Sequence, residues 1–182
     1  MKVRSQQSMR EQPVKDNYLA RVVALYNLGY QPGFQWQGEE VEPSYKFEIT
    51  YELVTSEMKD GRPFWVSEEV TNTDNEKGKL YQRCMATNVN IKNVEELIGK
   101  PVMVTVDHNN KGYAKIKNVA GVPNGIPVPE LRNPSKLFDV YAEVPDMETW
   151  ESLSDFTKGK IMKALDFKTT TLSKMVDGDD DI

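Results

Sequence analysis

The stretch Tyr45–Leu53, YKFEITYEL, alternates without a break. Tyr45, Phe47, Ile49, Tyr51 and Leu53 fall on one side, and Lys46, Glu48, Thr50 and Glu52 on the other. A period of two sustained over this length is a half-buried antiparallel strand. The turn MKDGRP, pivoting on Asp60-Gly61, leads into FWVSEEVT at 64–71. This is the partner strand, with Phe64, Val66 and Val70 on one face and Trp65 and Ser67 on the other.

Three more strands read from the same logic. YLARVVALYNL at 18–28 is rich in β-branched and aromatic residues. PVMVTV at 101–106 and YAKIKNV at 113–119 flank the turn Asn109-Asn110-Lys111-Gly112. Between the third and fourth strands lie the helix formers of 75–86 and a short turn, Asn93–Ile98, ended by Gly99. That order, three strands, helix, two strands, is the order of a five-stranded OB-fold barrel. Its ligand face is strands two and three with the loops after strands one and four. Another small barrel also fits the pattern.

A mainly β fold is therefore expected, with a helical insertion between strands 3 and 4. The organisation reads as a flexible N-terminal arm (1–16), an OB-fold nucleic-acid-binding domain (17–132), a C-terminal helical extension (133–176) and an acidic tail (177–182). The extension rests on Trp150, Leu153, Phe156, Ile161, Met162, Leu165 and Phe167 at broadly helical spacing. Gly121–Pro134 holds four prolines and is irregular. The segment QPGFQWQGEEVEPS is read as a long loop, and such loops usually carry function.

Composition narrows the chemistry. With 38% hydrophobic and 28% charged residues and a mean hydropathy of −0.60, the chain suits a soluble domain with one core. No apolar run approaches a membrane span, and no N-terminal apolar segment resembles a signal peptide. The one cysteine, Cys84, excludes an intrachain disulfide. The one histidine, His108, sits at a strand end and turn and disfavours nucleophilic triads. Glu68-Glu69 point to opposite faces of a strand, and Glu95-Glu96 suit a helix start. Neither these nor Glu39-Glu40 make a metal site, so no metal, cofactor or enzymatic activity is expected.

The net charge of −5 conceals a division. Residues 1–140 carry 18 Lys and Arg against 18 Asp and Glu, whereas residues 141–182 carry 5 against 10. A balanced body can hold a basic groove while an acidic end sets the total. Single strands are bound by stacking bases on aromatic rings beside a track of cations. Tyr30, Phe34, Trp36 and Trp65 are the stacking candidates. Arg21, Lys46, Lys79, Arg83, Lys115 and Lys117 are the phosphate candidates, with Tyr113 on the same face as Lys115 and Lys117. The tail residues Asp177, Asp179, Asp180, Asp181 and Ile182 read as an extended bait for a basic pocket, or as a segment that folds back over the groove.

In order along the chain, ARVVALYNLG, QWQGEEVEPSYKFEITYEL, DGRPFWVSEEVT, LIGKPVMVTVDHN, YAKIKNVAGVPNG and NPSKLFDV resemble a family of tailed-bacteriophage single-stranded DNA-binding proteins with an OB fold. The resemblance spans Tyr18 to Leu165. It implies a non-enzymatic protein coating single-stranded DNA in replication or recombination, in the cytoplasm of an infected bacterial cell. The tail is similar to acidic C-termini that recruit replication and repair enzymes. Bacterial tails of that kind close on proline-phenylalanine, and this sequence stops at Ile182. The rival readings are an adaptor or DNA mimic that binds no nucleic acid, and a small nuclease. The sequence leaves DNA against RNA and the oligomeric state open.

Overall fold

The apolar run at 18–28 grows into β1 (Asp16–Gln31), the central strand of the computed structural model, which describes residues 10–177. The strand has no polar face because both its faces are covered. Ala20, Val22 and Leu25 enter one core with Ile49, Leu53, Val102 and Val104. Val23, Ala24, Tyr26 and Leu28 enter a second with Phe138, Val140, Trp150, Leu153 and Ile161. Register shifts between Val22 and Ala24 and between Asn27 and Gly29 let neighbouring residues serve different sides.

The remaining strands are β2 (Phe34–Trp36), β3 (Glu39–Val41), β4 (Ser44–Glu57), β5 (Pro63–Thr71), β6 (Pro101–His108), β7 (Ala114–Ala120) and β8 (Lys136–Asp139). The main sheet has the order β5-β4-β1-β6-β7, antiparallel throughout, with β8 joining β1 in parallel. The fold is thus mainly β. Among the described residues no ladder joins β5 to β7, although these two edge strands approach each other. Helix α1 (Lys79–Thr87) packs against both of these edges. Its Leu80 and Cys84, with Leu97 of the following 3₁₀ segment Ile91–Leu97, fill the first core.

Three local readings change. The segment after β1 is not a loop but a small hairpin, β2–β3, with Phe34 opposite Val41 and Trp36 opposite Glu39. The C-terminal region is not purely helical. It opens with β8, and its helices α2 (Met147–Ser152), α3 (Asp155–Met162) and α4 (Thr171–Val176) are short pieces folded onto β1. Residues 10–15 are docked rather than free. Glu11 accepts from the Lys59 amide, the Gln12 side chain accepts from the Ala114 amide, and the Pro13 carbonyl bonds His108 Nε2 at 2.7 Å. The rest of the expected arm lies outside the described residues.

Gly29 marks where the C-terminal region presses on β1. Its φ is +80°, and a Cβ there would sit 3.2 Å from both Ala164 Cβ and Val140 Cγ1. Gly29→Ala should therefore cost about 1–3 kcal/mol. A urea unfolding midpoint equal to the parent's would refute the close approach.

Candidate nucleic-acid interface

On β4 the residues that point away from the first core are Lys46, Glu48, Thr50 and Glu52. Their ladder partners on β5 are Thr71, Glu69, Ser67 and Trp65. The sequence pattern marks this row as the solvated face, yet Glu48, Thr50 and Glu52 are buried. The reason is the C-terminal region, which folds across them. Thr157 Oγ1 donates to Glu48 Oε2 at 3.4 Å, and Lys160 Nζ lies 3.4 Å from Glu48 Oε1 and 3.5 Å from Glu69 Oε2.

Burial dominates at Glu48 and raises its pKa; the Lys160 charge pulls the other way without cancelling it. A carboxyl that holds its proton more tightly when folded contributes stability in acid and loses it as pH rises through its folded pKa. The stability of Glu48→Gln relative to the parent should accordingly improve from pH 4 to pH 7 in urea titrations. A pH-independent difference would count against it.

Further along the row, Glu52 has no solvent exposure and is held by three donors. Trp65 Nε1 donates to its Oε1 at 3.0 Å, Asn133 Nδ2 to the same oxygen at 2.6 Å, and the Arg132 amide to Oε2 at 2.7 Å. This carboxylate pins the Trp65 indole by its edge while leaving the residue 36% exposed.

Between this row and α2–α3 runs an open groove of about 430 Å³, lined among others by Tyr26, Thr50, Trp65, Ser67 and Phe156. Arg10 and Lys136 line it as well. Phe156 is 73% exposed, with Lys160 Nζ 4.6 Å from its ring centroid. Tyr26 sits across the ladder from Glu48, and burial together with that neighbour pushes its hydroxyl up to about 12.

The other expected site residues fall into separate groups. Phe34 and Trp36 are exposed and two residues apart on β2, so they share one face of the hairpin. At its base Gly33 has no room for a side chain, since a Cβ would lie 2.1 Å from the Val41 carbonyl oxygen. Tyr30 packs on Tyr45 with ring centroids 4.8 Å apart, and Tyr45 lies 6.3 Å from Tyr141. Lys46 Nζ bonds Thr71 Oγ1 at 2.9 Å. Exposed Tyr113, Lys115 and Lys117 lie at or after the β6–β7 turn. There the His108 amide, and then Lys15, Lys115 and Lys117, hold the Asp107 carboxyl below its ordinary range. Lys79 is exposed at the start of α1.

Two of the expected cations are committed elsewhere. Arg21 donates to the carbonyls of Gly99, Val128 and Pro129 and pairs with Glu130, clasping the proline-rich segment to β1. Arg83 is buried against Glu68, bonded through Nε at 3.0 Å and Nη2 at 2.9 Å. Neither guanidinium is left to meet a phosphate. Asp177 ends α4, accepting from Ser173 Oγ at 3.2 Å. Asp179, Asp180, Asp181 and Ile182 lie outside the described residues.

Sequence reasoning missed Tyr26, Phe156, Arg10 and Lys136. For Phe156 a signal existed. The buried stripe of α2 and α3 runs Trp150, Leu153, Thr157, Ile161, Ala164 at helical spacing, and Phe156 falls beside it. Among the described residues no three His, Cys, Asp or Glu side chains cluster as metal ligands, and no helix is long and apolar enough to cross a membrane. Comparison with protein-family models, curated proteins and solved structures gives no significant match.

Proposed function

We propose that this chain binds single-stranded DNA without enzymatic activity, coating it during phage replication or recombination in the host cytoplasm. The observation that carries the reading is Trp65, an indole fixed by Glu52 yet open to a groove that also holds Phe156, Arg10 and Lys136. Rings that are exposed and rotationally fixed stack bases at low entropic cost, and adjacent cations meet the phosphates.

The strand order supports the same reading. Taking β1, β4, β5, β6 and β7 as the five strands of a partly open OB fold makes β4–β5 the ligand face. The hairpin bearing Phe34 and Trp36 is then the loop after strand one, and the turn before Tyr113 the loop after strand four. The acids of this face do not oppose a polyanion strongly, because Glu48 and Glu69 are paired with Lys160 and Glu52 is ringed by donors. The acidic residues of the tail would recruit replication or recombination enzymes through their charge.

Titrating the protein with labelled oligo(dT) at rising salt tests the reading. With about four phosphates contacted, log K should fall against log salt with a slope near −3. An adaptor or DNA mimic would bind no oligo(dT) at any salt, and a nuclease would shorten the strand when magnesium is added.

A further inference from the structure

The groove floor holds polar groups that a stacking surface does not need. Tyr26 is only 6% exposed and lines the cavity, and among the described residues its hydroxyl makes no hydrogen bond. That hydroxyl opens on the groove and is free to bond a group that enters it. Directly across the ladder stands Glu48, whose contacts to Thr157 and Lys160 are both 3.4 Å long and leave lone pairs free. Cross-strand neighbours on one face hold their Cβ atoms about 5 Å apart. A hydroxyl and a carboxyl so placed can grip the edge of one planar ligand.

We propose that the groove is a base-reading site, in which one nucleobase of the bound strand enters edge-first and is read by Tyr26 and Glu48. The inference rests on the single-strand-binding reading and deepens it. The cavity, at about 430 Å³, lies within the range of about 300–1,000 Å³ typical of small-ligand sites. Trp65 and Phe156 supply apolar faces within it, and Arg10 and Lys136 supply charge for the flanking phosphates.

The chemistry of the floor selects the base. Glu48 accepts a hydrogen bond from an exocyclic amino group, as acidic side chains do from cytosine N4. Tyr26 then donates to the adjacent ring nitrogen. Thymine has no amino group; its one edge donor, N3–H, lies between two carbonyl oxygens, so turning it to Glu48 brings a carbonyl oxygen against the carboxyl. Bases with an amino group are therefore preferred over thymine, which departs from binding without sequence preference.

The test compares labelled (dC)12 with (dT)12 by fluorescence anisotropy at one salt concentration and pH. Both are unstructured pyrimidine strands, so backbone flexibility and charge are matched. The expected result is tighter binding of (dC)12 by about 5- to 150-fold, the span one well-made base contact commands. In Tyr26→Phe, which removes one oxygen and keeps the ring, the ratio of the two affinities should fall toward one. Glu48→Leu should do the same, with melting curves confirming that both variants are folded. Equal affinities in the parent protein would overturn the proposal, as would a (dC)12 preference that survives in folded Tyr26→Phe. If neither strand binds, the single-strand-binding reading itself fails, an outcome distinct from equal binding.

Discussion

Arg83→Ala should destabilise the fold by about 3–5 kcal/mol, the usual cost of removing one partner from a buried ion pair. Arg83 and Glu68 are almost wholly enclosed, with 4% and 7% side-chain exposure. Glu68 also accepts from the Tyr51 hydroxyl at 2.6 Å, so three donor contacts converge on its two oxygens. Without the guanidinium a buried carboxylate would keep only the tyrosine. Burial, followed by the Glu68 charge, pushes the Tyr51 hydroxyl well above its ordinary pKa, so it stays a neutral donor to the carboxylate. Native domains hold only about 5–15 kcal/mol in total, so the loss would be plain in a urea titration. The double variant Arg83→Met with Glu68→Gln should recover much of it, because no unpaired charge then remains inside. A single variant within 1 kcal/mol of the parent would show that the pair is not enclosed as described.

The second large effect concerns binding. Trp65→Ala should weaken oligo(dT) by about 5- to 150-fold, the equivalent of about 1–3 kcal/mol for one stacked base. Phe156→Ala should act in the same direction. Its ring is mostly exposed, so a loss of affinity there cannot be ascribed to unfolding. Trp36→Ala asks whether the β2–β3 hairpin shares the track. Tryptophan quenching follows the titration, with buried Trp150 as a constant background. Unchanged affinity in both the Trp65 and Phe156 variants would remove the groove from the site, even if the protein still bound DNA.

Much of the sheet was legible because it follows from short-range periodicity. The alternation at 45–53 and the turn at Asp60-Gly61 define β4 and β5, and the turn at 109–112 defines β6 and β7. Trp65 was legible as an outward ring for the same reason. What could not be read was anything decided by the C-terminal region. Glu48 and Glu52 have the pattern of a solvated face, and Thr157, Lys160, Arg132 and Asn133, some 80 to 110 residues later in the chain, help enclose them, with Trp65 also on Glu52. A similar distance hid the fate of Arg21, whose carbonyl partners lie 78 to 108 residues on, whereas Arg83 meets Glu68 only 15 residues away. A cation in a sequence carries no sign of whether a carbonyl, a carboxylate or a phosphate will meet it. β8 was missed because four residues after a proline-rich stretch leave too short a pattern to detect.

The two-sided burial of β1 has a bearing on how the chain finds its alignment. In an ordinary amphipathic strand, sliding by one residue turns oily groups to water, and that penalty polices the pairing. β1 lacks this safeguard along its middle, since whichever way it turns it offers apolar atoms to a waiting layer. Correct threading must then depend on a few sparse pegs: the two irregular steps, the left-handed Gly29, and the polar anchors Arg21 and Asn27.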